Sequence, residues 1–273
     1  MEVHHHSHLD SDSHRKKKFK EYFLEFLMIF LAVTMGFFAE SYREHLVNHS
    51  REREYMSQLV ADLREDMTEC GINNPRSIIS INTLISQGCD TLIKILSEGN
   101  PTREEIANAY VMYHGISTDW FSAYFKDATW SQLRNNGGFS IINDSVVVRG
   151  INDYYKWVQI TDDYKDLIKA KCYSIYNNEG RKIFDERMEQ RMLDTIDNEK
   201  NLVILLPADS LTRLIDKSVN IRFLHNDPET ILGLCNDLRS YESLLTLYDR
   251  VIMRQGRRAE KLVQLITQEY NLQ

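Results

Sequence analysis

The chain has 273 residues, a formal net charge of −7, 42% hydrophobic and 27% charged side chains, and only 11 Gly and 4 Pro. This is too apolar for a disordered chain and too poor in turn formers for an all-β protein built of hairpins. The negative balance, with no basic stripe interleaved with aromatics, argues against nucleic acid as a partner.

The charge is unevenly placed. Residues 1–39 hold five bases (Arg15, Lys16, Lys17, Lys18, Lys20) and five acids (Glu2, Asp10, Asp12, Glu21, Glu25), so the −7 belongs to the remainder. The opening MEVHHHSH and the block HRKKKFK predict a disordered His/Lys-rich tail over 1–20. Its histidines (His4, His5, His6, His8, His14) are metal-ligand types, but no acid or cysteine at fixed spacing completes a site, so no metal or other cofactor is expected.

From Tyr22 to Ala39 the only polar side chains are Glu25 and Thr34. Eighteen residues at about 1.5 Å each span about 27 Å, close to a hydrocarbon core. A soluble amphipathic helix would show a polar face, and none exists between positions 26 and 39. Ala39-Glu40-Ser41 is a tolerable signal-peptide cleavage site, yet the basic block comes late and the helix pattern runs on without a break. The reading adopted is a retained transmembrane helix over 21–42. Glu25 and Glu40 mark its edges, and Tyr22 and Tyr42 stand where interfacial aromatics belong. Glu25 read as an interfacial acid is the plainer alternative to a proton-handling one. The Lys/Arg bias orients the N-terminus to the cytoplasm and places 43–273 outside it.

Beyond the membrane, Met56, Leu59, Leu63 and Met67 recur at helical spacing up to a break near Gly71. His45 and His49 are spaced as a metal pair, without the glutamate of a metalloprotease motif. Asn74-Pro75 is expected to cap the next helix, whose stripe is Ile78, Ile81, Ile85, Leu92 and Leu96. Thr102-Arg-Glu-Glu105 is a capping box opening a helix with Ile106, Ala109, Tyr110 and Tyr113. The aromatic section DWFSAYFKDATW follows, with Trp120, Phe121, Tyr124, Phe125 and Trp130 read as a packed cap. Thr129 is expected to cap a short helix ending at Asn136-Gly137-Gly138.

From Ser145 a long helical pattern carries Val148, Ile151, Tyr155, Val158, Ile168, Cys172, Ile175 and Tyr176, and continues past Phe184 toward Ile196. NLVILLP at 201–207 reads as a short strand or buried connector, and a short helix is expected near Ser210 to Lys217. Asp227-Pro228 starts the clearest element, a heptad series Ile231, Leu238, Leu245, Ile252, Ala259, Ile266. Its companion series is Leu234, Tyr241, Tyr248, Gln255, Leu262. Cys70, Cys89, Cys172 and Cys235 lack any paired spacing and read as buried thiols rather than a disulfide framework.

The stretch FKEYFLEFLMIFLAVTMGFFAESYREH, with the His-rich opening and Lys block before it, resembles a family of uncharacterised single-pass membrane proteins from Gram-negative bacteria. The segment ATWSQLRNNGGFSIINDSVVVRGINDYY is similar to that family's helix, glycine turn, helix unit. The resemblance implies a short N-terminal membrane helix followed by a helical domain, and supplies no catalytic residues.

The fold expected is all-α, with the membrane helix continuing as a stalk into an antiparallel long-helix bundle with an aromatic-rich cap. No GxSxG, Walker or GxGxxG motif is present, so no catalytic residues are assigned. The function expected is that of a membrane-anchored scaffold or interaction protein, non-enzymatic, with lipid and a protein partner or a second copy as its contacts. A ligand-sensing domain is one alternative. The other is a tethered hydrolase with a site near Trp120 to Trp130, using His114 with Asp119 or Asp127.

Overall fold

The computed structural model describes residues 11–71, 74, 77–118, 121–193 and 220–272, and the described chain divides into two compact units, Met1–Tyr55 and Met56–Gln273. Every regular element among the described residues is helical. His4, His5, His6, His8, Pro75, Asp119, Trp120, Ile196, the run 201–207 and the helix expected at Ser210 to Lys217 lie outside the described residues.

Helix α1 is Ser11–Glu69. It reaches back into the segment expected as an irregular tail, because the Lys block and Phe19 continue into the apolar run with no Gly or Pro to stop a helix. In the first unit its apolar side chains are exposed on every side, Phe23, Met28, Leu31, Val33 and Phe38 among them. The most apolar window has a mean hydropathy of 2.0 and none of it is buried. The helix is long and apolar enough to cross a membrane.

The second unit begins with the last turns of α1, where Met56, Leu59 and Leu63 are buried as their spacing predicts. Asp66 is buried as well, while Met67, expected in the same stripe, is only half-buried. Helix α2 is Ile78–Ser97. Its N-cap is Ser77, whose hydroxyl accepts the Ser80 N–H, so the cap falls three residues after the expected Asn74. Asn74 instead closes a turn, its carbonyl accepting the Ser77 N–H and the Ser80 hydroxyl.

Helix α3, Arg103–Thr118, opens on the expected capping box. The Thr102 N–H donates to Glu105 at 2.6 Å and the Glu105 N–H donates back to the Thr102 hydroxyl at 3.2 Å. Helix α4 is Ala128–Asn135, with Asp127 rather than Thr129 at the N-cap position and no side-chain capping hydrogen bond from it. The Thr129 hydroxyl is committed elsewhere, donating to Asp62 of α1 at 2.6 Å. The chain turns at Gly137, whose φ of 68° is the left-handed conformation that the Asn-Gly-Gly sequence predicts.

Helix α5, Ser145–Ile175, starts from Asp144, whose carboxylate accepts the Val146 and Val147 N–H groups. The expected continuation toward Ile196 fails at Tyr176–Gly180, a wide turn in which Asn178 leaves helical geometry (φ −96°, ψ −107°). The bend lets Tyr113 stack on Phe184 at 4.1 Å and on Tyr176 at 6.0 Å. Burial of this aromatic pile outweighs the hydrogen bonds of one more straight turn. The short α6 (Arg181–Ile183) and α7 (Glu186–Leu193) follow.

Helix α8, Pro228–Tyr270, is the longest element of the second unit. Asp227 caps it by accepting the Thr230 N–H at 3.0 Å. Leu234, Leu238, Tyr241, Leu245, Tyr248, Ile252, Gln255, Ala259, Leu262 and Ile266 are all buried, so both expected series form the seam, with Ile231 half-buried at its start. Helices α2, α3, α5 and α8 close a ring: α8 packs on α2 and α5, and α3 packs on both of those. The pairings fix antiparallel directions. On α5 and α8, Lys171 meets Asp237 and Trp157 meets Arg258. On α2 and α8, Asn82 meets Asp249 near one end while Leu96 and Cys235 share a cavity wall at the other. At Gly256 α8 passes close to the residue that follows α1, since a Cβ there would stand 2.8 Å from the Cys70 Cβ. All four cysteines are buried free thiols.

Leu245 sits in the middle of the seam at 1% exposure. Leu245→Ala is expected to lower unfolding free energy by about 2–5 kcal/mol through lost transfer energy and a cavity. Denaturant unfolding of the full chain in detergent measures it. A loss below about 1 kcal/mol would contradict the seam as the packing axis.

Candidate functional site

The four residues expected at the membrane edges all lie exposed on α1: Tyr22, Glu25, Glu40 and Tyr42. From Tyr22 to Tyr42 the helix rises about 30 Å. Glu40 accepts two hydrogen bonds from Arg43, at 2.6 and 3.0 Å. The Thr34 hydroxyl donates to the Phe30 carbonyl at 2.7 Å, so this polar group is satisfied within the helix, as hydrocarbon requires.

The aromatic section is a cover rather than a cleft. Residues 121–127 cross the bundle without regular structure. Their backbone polar groups are met by side chains of three helices. The Ala123 N–H donates to the Tyr248 hydroxyl of α8 at 3.0 Å, the Lys126 N–H donates to Asp66 of α1 at 2.8 Å, and the Tyr155 hydroxyl of α5 donates to the Lys126 carbonyl at 2.9 Å. Phe121 and Phe125 pack against the core, Trp130 stacks on Tyr155 at 4.6 Å, and Tyr124 stays exposed under the Lys165 ammonium. His114 pairs with Glu189 of α7 at 2.6 Å. The histidine proposed for acid–base chemistry is thus held by a carboxylate that the sequence reading did not consider.

Two carboxylates between packed helices stand out, Asp66 buried beneath the cover and Asp249 half-buried between α2 and α8. Asp66 accepts the Tyr154 hydroxyl at 2.7 Å in addition to the Lys126 N–H, and Gln255 donates its amide to the Tyr154 carbonyl at 3.2 Å. Burial pushes the Asp66 carboxyl up to about 6, against the pull of its two donors. Asp249 accepts the Asn82 amide at 2.6 Å, and burial again pushes it up to about 6. Both carboxylates cement packed helices.

A concave feature lies at the end of the ring where α2 finishes and α8 begins. It is a cavity of about 630 Å³, walled by Leu96, Phe223 and Ile231 and flanked by Glu98, Arg222 and Arg239. That volume suits a small ligand or a peptide side-chain cluster. Two exposed guanidiniums beside an apolar wall favour an acidic, partly apolar group. The sequence reading missed this feature because Arg222 and Phe223 lie in a connector without periodicity, and because Arg239 looks like an ordinary solvated helix position. No family model matches the chain, no curated protein matches it, and no solved structure matches its fold.

The sign of the Asp66 effect is set by its folded value lying above the unfolded one of about 3.9. The stabilisation from its protonated form is fully present below about pH 4 and lost as pH rises through about 6. Asp66→Asn does not titrate, so its stability relative to the native chain is expected to improve by roughly 1–2 kcal/mol between about pH 4 and 7. Chemical unfolding across that range checks it, and a pH-independent difference would contradict the burial account.

Proposed function

We propose that the chain is a single-pass protein of the bacterial inner membrane, non-enzymatic, which holds a helical interaction domain on the periplasmic side. The observation that carries this reading is the contrast within the described chain. The apolar window of α1 is wholly unburied, whereas the second unit closes its own core around α8. A soluble protein does not expose a run of this length, and hydrocarbon is the environment in which its exposure costs nothing. The resemblance to single-pass proteins of Gram-negative bacteria and the basic block before the apolar run support the cytoplasmic N-terminus.

The partner is a protein segment or a second copy of the chain. The cavity between α2 and α8 is the feature of the second unit best shaped to receive it. The same cavity favours ligand sensing as a second reading, with an acidic small molecule in place of a partner side chain. The hydrolase reading is less favoured, since Phe121, Phe125 and Trp130 are packed and neither the cavity nor the groove between α5 and α8 draws a wall residue from 121–130.

Two measurements test this. A reporter fused after Gln273 that is active only outside the cytoplasm is expected to be active, and activity of a cytoplasm-only reporter at the same position would reverse the orientation. Leu232 stands exposed at the cavity mouth, so Leu232→Trp is expected to reduce partner recovery in detergent pull-downs by roughly tenfold, the scale of one interface contact. Recovery unchanged by that substitution would remove the cavity from the interface.

A further inference from the structure

A second concave feature lies on the side of the ring where α5 begins and α8 ends. It is a groove of about 370 Å³ between those two helices, floored by Gly150, Leu262 and Leu265. A Cβ at Gly150 would approach Leu262 to 3.0 Å, so the glycine keeps the floor open. Lys156, Arg258 and Lys261 line it, with Asp153 the one acid in the lining. The Arg258 guanidinium lies 3.9 Å over the Trp157 ring, a cation–π contact that holds it at the groove.

The charge of this face is uncompensated. Among the described residues none of Lys156, Arg254, Arg258 and Lys261 forms an ion pair, although acids outnumber bases 40 to 33 in the whole chain. Burial first, and the charge of Arg254 second, hold the Arg258 guanidinium below its ordinary value. Surplus acids are available in the sequence, so cations left bare around an apolar floor are positioned for an external anion.

We propose that this groove binds the phosphate of an anionic phospholipid headgroup in the bilayer that α1 crosses. The inference rests on the membrane reading of α1 for the availability of the lipid, and on the groove alone for its recognition. Three features choose a lipid over an acidic protein or a nucleic acid. The groove encloses only about 370 Å³, whereas a protein or nucleic-acid interface needs a far broader basic surface. Its floor is apolar and Trp157 stands at its wall, a pairing suited to the headgroup level. Tyr154, which lines the groove, is hydrogen-bonded to Asp66 of α1, so the helix that carries the apolar run also holds a wall residue of the groove.

The full chain in a non-ionic detergent is titrated with dihexanoyl phosphatidylglycerol below its micelle concentration, followed by calorimetry, beside dihexanoyl phosphatidylcholine, inorganic phosphate and poly-glutamate. Phosphatidylglycerol is expected to bind roughly tenfold or more tightly than phosphatidylcholine or phosphate. Arg258→Gln with Lys261→Gln should abolish that preference, the charge-conserving Arg258→Lys with Lys261→Arg should retain most of it, and Lys94→Gln on α2 should leave it unchanged. Unchanged thermal unfolding of the variants separates lost binding from lost folding. Equal affinity for both lipids, or a preference insensitive to the glutamine pair, overturns the proposal. Phosphate binding as tight as phosphatidylglycerol assigns the groove to a free anion, and tighter poly-glutamate binding assigns it to an acidic protein; either overturns the lipid assignment. Because this readout is made in detergent, it is independent of whether α1 is extracted from a membrane.

Discussion

In the second unit, one face of α8 is shared by nearly everything that packs. Helices α2 and α5 lie against it, α3 bridges those two, and Cys70, just after α1, lies against it at Gly256. A seam from Leu234 to Ile266 buries a side chain at almost every third or fourth position. It therefore decides both the register and the direction of its neighbours. The buried Tyr241 and Tyr248 make this seam more than an apolar stripe. Tyr248 uses its hydroxyl to hold the backbone of the crossing segment at Ala123, so the axis of the bundle also fixes its cover.

The cover shows how a loop is kept on a helical bundle without strands. Its backbone donors and acceptors face a low-dielectric surface and must be met there. Asp66, Tyr155 and Tyr248 do so from three different helices. This accounts for a carboxylate buried beside the α1 stripe, and for its raised protonation range. The aromatic richness of 121–130 reflects that packing duty, since Trp130 is held between Tyr155 and Phe139.

What was legible in the sequence was what depends on local order. The α8 heptads, the Thr102–Glu105 capping box, the Asn-Gly-Gly turn and the Asp227 start are set within a few residues, and periodicity or capping chemistry exposes them. The helix from Ser145 was legible to Ile175, but its end was not, because the turn at Tyr176–Gly180 is imposed by Tyr113, a residue more than sixty positions earlier. Both concave features were invisible for the same reason. Lys156 and Arg258 look like solvated helix positions until the antiparallel pairing of α5 and α8 sets them side by side. The exposed apolar run of α1 was legible because its length and composition stand out without any tertiary contact.

The exposed apolar stretch of α1 carries the account of where this protein resides, and the interaction and headgroup readings follow from it. Its most direct test is alkaline carbonate extraction of membranes from cells expressing the full chain, with N-terminal sequencing of the recovered protein. The account predicts that the protein stays in the membrane pellet with its apolar segment intact. Release into the supernatant, or a mature N-terminus at Tyr42, would contradict it.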